Sequence, residues 1–127
     1  MTASGRTAIV VGASADELAH LQKCLPDWRC LVALLDDEEI SISMIPEGVE
    51  LVVVYARQSE AETLATCKKL RRAPRTSAVP ILLVISKYAI GQGKAAKRLG
   101  NAAFIMPPFS GKEIHDRITQ CFDVPHR

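Results

Sequence analysis

Glu50-Leu51-Val52-Val53-Val54-Tyr55 decides the fold. Four consecutive apolar residues, three of them valine, lead into an aromatic with no polar alternation, the pattern of a strand buried on both faces. Such strands occupy the middle of parallel sheets, with helices packed above and below. An open α/β sheet places its chemistry at the carboxyl ends of its strands, so Tyr55 stands where a functional side chain is expected.

Working towards the N-terminus, Thr7 to Val11 is a shorter β-branched run closed by Gly12-Ala13-Ser14, and it predicts a first strand. A helix capped by Ser14 or Asp16 follows, with Leu18, Leu21, Cys24 and Leu25 on one face and Pro26 as its stop. Trp28 to Leu35 predicts strand two. Asp36-Asp37-Glu38-Glu39 then opens a short helix, where carboxylates complement the positive end of the dipole and need no metal to explain them. Ile40, Ile42 and Ile45 carry its apolar positions, and Pro46-Glu47-Gly48 closes it.

Beyond Tyr55, a helix runs from Ser59 or Glu60 to Arg72, with Leu64, Cys67 and Leu70 inward and Lys68, Lys69, Arg71 and Arg72 largely outward. Val79 to Ile85 is a second doubly buried strand, with Pro80 near its start and Ser86 at its end. Ile90 to Leu99 predicts a basic helix stopped by Gly100-Asn101, and Ala102 to Met106 a last strand. Pro107-Pro108-Phe109-Ser110-Gly111 is a rigid loop before a closing helix, Glu113 to Phe122, buried along Ile114, Ile118, Cys121 and Phe122. Five strands alternate with five helices over short connections, which implies right-handed crossovers. The expected architecture is a flavodoxin-like α/β/α sandwich whose five-stranded parallel sheet has the order 2-1-3-4-5.

At 127 residues the chain reads as one domain, 1–127, with 1–5 and 123–127 as flexible ends. A domain of this size buries roughly two-thirds of its unfolded surface, enough for a core without staples. The hydrophobic fraction of 48% with 24% charged residues excludes disorder. A net charge of +2 is too small to argue for nucleic acid or a membrane surface, and neither is expected as a partner. The cysteines Cys24, Cys30, Cys67 and Cys121 form no CxxC and have no zinc-spaced histidines, so they read as reduced core thiols in a cytoplasmic protein. No stretch is long and apolar enough for a signal peptide or a membrane span.

Several motifs fail on inspection. Gly12-Ala13-Ser14 lies where a phosphate-binding turn could form, but the further glycines are missing and Asp16 and Glu17 would repel an anion. Gly91-Gln92-Gly93-Lys94 is no P-loop, because its first glycine would fall on Tyr88 and its hydroxyl on Ala95. Ser86 has no histidine near it in sequence, and His20, His115 and His126 fall on helices or the tail, which argues against nucleophilic catalysis. Lys68-Lys69-Leu70-Arg71-Arg72 with Arg75 reads as a solvated helix face, with an acidic-partner patch as the alternative.

Gly100-Asn101-Ala102-Ala103-Phe104-Ile105-Met106-Pro107-Pro108-Phe109 resembles the ending G-A-x-x-[YF]-[LI]-x-K-P-F of response regulator receiver domains in two-component systems. Val79-Pro80-Ile81 followed by Ser86 is similar to the family's fourth strand and its phosphoryl-sensing hydroxyl, and Leu70-Arg71-Arg72 to the end of its third helix. The resemblance runs over nearly the whole chain. It implies an Asp acceptor at the end of strand three, an acidic pair after strand one holding Mg²⁺, and a lysine before a cis-proline. Mg²⁺ wants carboxylate oxygens, and the transferring phosphoryl group wants cationic neutralisation.

Those positions hold Gly12 and Ala13, Tyr55, and Pro107; Ser86 and Phe104 remain. Asp16 and Glu17 lie too late to replace the pair, and no Asp or Glu occurs between Leu51 and Ser59. The expectation is therefore a pseudo-receiver: no enzyme, no cofactor, no metal site, and a phosphorylation pocket degenerate at Gly12, Ala13, Tyr55, Ser86 and Pro107. Tyr55 is expected to plug the space, with its ring packed and its hydroxyl toward Ser86 or solvent. The resemblance further implies a cis bond before Pro108 and a protein-partner face built from the last two helices and strand five. Phe104, Lys94, Lys97, Arg98 and Lys112 belong to that face, and a homodimer stays open. The alternatives are a phosphorelay receiver with an atypical acceptor and a small-ligand or nucleotide-binding domain using Gly12–Ser14.

Overall fold

The computed structural model describes residues 6–32, 48–56, 60–72, 76–85 and 102–123. Its elements are, in order, β1 (Arg6–Val11), α1 (Ala15–Cys24), β2 (Trp28–Val32), β3 (Val49–Tyr55), α2 (Glu60–Arg72), β4 (Ile81–Val84), β5 (Ala102–Ile105) and α3 (Gly111–Asp123). All strand pairs are parallel, in the order β2-β1-β3-β4-β5, so β3 is the central strand. Three helices lie among the described residues. The other two of the five expected, over 36–45 and 90–99, fall outside them, as do Ser86, Lys94, Lys97 and Arg98. No helix among the described residues is long and apolar enough to cross a membrane.

Because side chains alternate along a strand, the run of valines in β3 feeds two cores at once. Leu51, Val53 and Tyr55 join Ala8, Val10, Leu82, Val84, Ala103 and Ile105 on one face, covered by α1 through Leu21, Cys24 and Leu25 and by α3 through Ile114 and Ile118. Val52 and Val54 join Ile9, Val11, Ile81 and Leu83 on the other, covered by α2 through Cys67 and Leu70. Leu51, Val52 and Val53 have no solvent exposure.

Two helices begin with the same device. Ser14 Oγ accepts the Glu17 N–H at 3.2 Å while Glu17 Oε1 accepts the Ser14 N–H at 2.8 Å. Ser110 and Glu113 repeat the exchange at 3.1 Å in both directions, and α3 therefore starts at Gly111, two residues before the expected Glu113. β4 starts at Ile81, one residue after Pro80, which has no N–H to give a ladder.

The start of β2 is bonded by a side chain from α1. Gln22 Nε2 donates to Trp28 O at 2.7 Å and to Leu25 O at 3.0 Å, while its Oε1 accepts the Cys30 N–H at 3.2 Å. An incoming parallel strand would bond that same carbonyl and the amide two residues on, so the Gln22 amide takes the place of one of its residues. On the opposite face Arg71, expected among the outward cations, is half-buried, and its guanidinium donates to the Val79 carbonyl. It ties α2 to the segment before β4 and is not part of a free basic face.

Candidate functional site

The registers bring the carboxyl ends of β1, β3 and β5 to one edge: Val11 lies beside Val54, Tyr55 beside Val84, and Val84 beside Ile105. Gly12, Tyr55 and the Met106–Phe109 turn stand there, in the loops where an α/β sheet builds its sites.

Gly12 adopts φ +83°, and a Cβ built on it would lie 2.9 Å from the Tyr55 carbonyl oxygen. Glycine is required twice over, by the left-handed backbone and by the close approach of β3. The missing side chain at Gly12 thus leaves no spare room, since the Tyr55 backbone fills it. Ala13 is half-buried and packs against the core on the α1 side.

Tyr55 is 8% exposed, its ring within the core between the sheet and α1. Its hydroxyl is buried and has no hydrogen-bond partner among the described residues. The hydroxyl does not reach solvent, because period-two alternation sends the ring down with Leu51 and Val53; its expected approach to Ser86 lies outside the described residues. Burial first, and then the nearby Cys24 and Cys30 thiols, push the phenol up to about 12. Burial likewise pushes the Cys30 thiol up to about 11 and raises Cys24. At neutral pH the Tyr55 phenol and these two thiols are uncharged.

Pro107 follows Met106 at the end of β5, is exposed, and joins Pro108 through a cis bond, as the resemblance implies. Phe109 is 5% exposed and anchors the turn in the core, with the His20 ring tilted 52° against it at a centroid distance of 5.2 Å. Between α1 and this turn lies a cavity of about 330 Å³, lined by Asp16, Glu17, His20, Tyr55 and Pro107 to Phe109. Sequence reasoning assigned His20 only to a helix. Its spacing from Asp16 and Glu17, four and three residues, is the signal that puts the three on one helical face.

The residues present do not fit Mg²⁺. Gly12, Ala13 and Tyr55 supply no carboxylate, Glu17 is occupied in the α1 cap, and no three His, Cys, Asp or Glu among the described residues group to share a metal. Nor is the Gly12–Ser14 turn open to an anion, since its Ser14 N–H is already bonded to the Glu17 carboxylate. On the expected partner face, Phe104 is half-buried against the α2-side core and Lys112 is exposed in the first turn of α3.

No protein-family model and no curated protein sequence matches the chain. Solved structures do. The signal receiver domain of a two-component histidine kinase from Clostridium thermocellum superposes with a TM-score of 0.70 at 15% identity, the match covering 94% of this chain and 98% of that one. The non-phosphorylated HemR receiver domain of Leptospira biflexa gives 0.67 at 18% identity over 96% and 98% of the two chains. The pilus assembly protein CpaE from Caulobacter crescentus gives 0.64 at 14% identity over 90% and 97%. The chain has the fold of response regulator receiver domains.

Proposed function

We propose that the chain is a pseudo-receiver, a signalling module that engages a protein partner without aspartyl phosphorylation. The observation that carries this reading is Tyr55: the end of the central strand holds a buried, neutral phenol, next to a Gly12 whose backbone packs against it. A nucleophilic carboxylate and its Mg²⁺ ligands have no counterpart in that arrangement. The likeness to a pilus assembly protein as well as to receivers supports the reading, because the same fold serves proteins of different names and roles.

The partner face is proposed to be β5 with α3 and the segment over 90–99, carrying Phe104, Lys112, Lys94, Lys97 and Arg98. Lys112 is a cation at the positive end of α3, where the dipole disfavours it. A residue with a local cost and no cap to make is suited to a partner's acidic group. Once a partner is captured by cross-linking, its affinity should stay within about twofold after incubation with acetyl phosphate and Mg²⁺. Lys112→Glu should weaken it by about five- to tenfold. A change of affinity with acetyl phosphate matching that of a working receiver would refute the reading.

A further inference from the structure

The cavity beside Tyr55 has a lining of distinct chemistry. At about 330 Å³ it lies at the small end of the range for ligand pockets, roughly 300–1,000 Å³. Its wall is apolar and rigid: Pro107 and Pro108 from the turn, Phe109 buried beneath them, and the Tyr55 ring. The exposed His20 ring lies against Phe109 on one side, with Nε2 3.6 Å from Cys24 Sγ. Its rim carries two carboxylates, Asp16 and Glu17, and no lysine or arginine is among the described lining residues.

That rim is acidic on a chain whose net charge is +2. Both carboxylates complement the α1 dipole, but they are not equivalent. Glu17 closes the capping box with Ser14, while Asp16 makes no hydrogen bond or ion pair among the described residues and takes no part in the cap. A carboxylate left over at the mouth of an apolar, partly aromatic cavity repels anions and complements a cation. An aliphatic or aromatic body would remove the wall from water, with the charge staying at the solvated rim.

We propose that this cavity is a binding site for a compact organic cation, an ammonium or guanidinium group on a short ring or branched alkyl body. The charged group sits at Asp16 and Glu17, and the body packs on Pro107, Pro108 and the aromatic wall. The site is independent of the pseudo-receiver reading and stands or falls separately from it.

Amide chemical-shift titrations of the full chain with benzamidine, its neutral isostere benzamide, and benzoate test the assignment. Benzamidine should produce saturable shifts confined to residues 16–20, Tyr55 and Phe109, and bind about tenfold more tightly than benzamide. Benzoate should leave those amides unmoved. Asp16→Asn should weaken benzamidine about three- to tenfold without altering benzamide binding. Because Asp16 is exposed, the variant's spectrum should superpose on the wild type beyond the first turn of α1, and Asp16→Glu should retain binding. Equal binding of benzamidine and benzamide, shifts with benzoate at the same residues, or no saturable shift with benzamidine would overturn the proposal.

Discussion

The carboxyl edge of the sheet has two halves that differ in what they have retained. Around β5, the pattern that resembles receivers persists as structure: a cis Pro107–Pro108 bond, a buried Phe109, and Phe104 packed against the α2-side core. Around β1 and β3 the strands keep their positions, but Gly12, Ala13 and Tyr55 stand at the positions for which the receiver resemblance implies carboxylates. The difference teaches that the scaffold and the chemistry of such an edge are held by separate residues. Apolar alternation, turn geometry and caps maintain the first and do not depend on which residues supply the second.

The largest effect should come from the retained half. Phe109→Ala removes a buried ring and should cost about 3–5 kcal/mol by denaturant unfolding. A cost below about 1 kcal/mol would mean that the turn is not a packing element. Gly12→Ala meets both a left-handed backbone and the Tyr55 carbonyl, and should cost about 3 kcal/mol, or roughly 10 °C in melting temperature. Gly48 shares φ +83° but has nothing within 4 Å of a built Cβ, so Gly48→Ala should cost only about 1 kcal/mol. Similar costs at the two glycines would contradict the close approach of β1 and β3.

Tyr55 sharpens the contrast through pH. Below its ordinary value of 10.0 the phenol is protonated in both folded and unfolded chains and contributes no pH dependence. Between pH 10 and about 12 the unfolded chain releases the proton while the native state retains it, so stability falls as pH rises, by about 2–3 kcal/mol in all. Tyr55→Phe should lack that component, read as the difference between the two stability–pH curves. At neutral pH the same substitution removes a buried hydroxyl with no partner and should stabilise by about 1 kcal/mol. A loss of stability on Tyr55→Phe would show that the hydroxyl is bonded in the native protein.

Much of the fold was legible because its signals are local and redundant. The consecutive valines Val52–Val54 of β3 and the apolar run of β4 needed no partner to be read as doubly buried, and the alternation of strands and helices pointed to the flavodoxin-like order. The Ser110-x-x-Glu113 capping box was equally readable and would have placed the start of α3 correctly. The candidate site was legible only as a set of positions. That Gly12 is filled by the Tyr55 backbone depends on a 2.9 Å approach between two strands, and the burial of the Tyr55 hydroxyl on which face the ring takes. Gln22 as a surrogate strand residue and Arg71 bonded to Val79 depend on long side chains reaching six to eight residues along the chain, which composition and periodicity do not encode.

The central proposal is that the end of β3 takes up neither a phosphoryl group nor a mimic of one. Beryllofluoride with Mg²⁺ added to isotopically labelled protein tests it most directly, with a working receiver as the positive control. The account predicts that the amides of Gly12, Ala13, Tyr55, Ala56 and Phe104 stay where they were while those of the control move. Saturable, Mg²⁺-dependent shifts at Gly12, Tyr55 and Ala56 would contradict it.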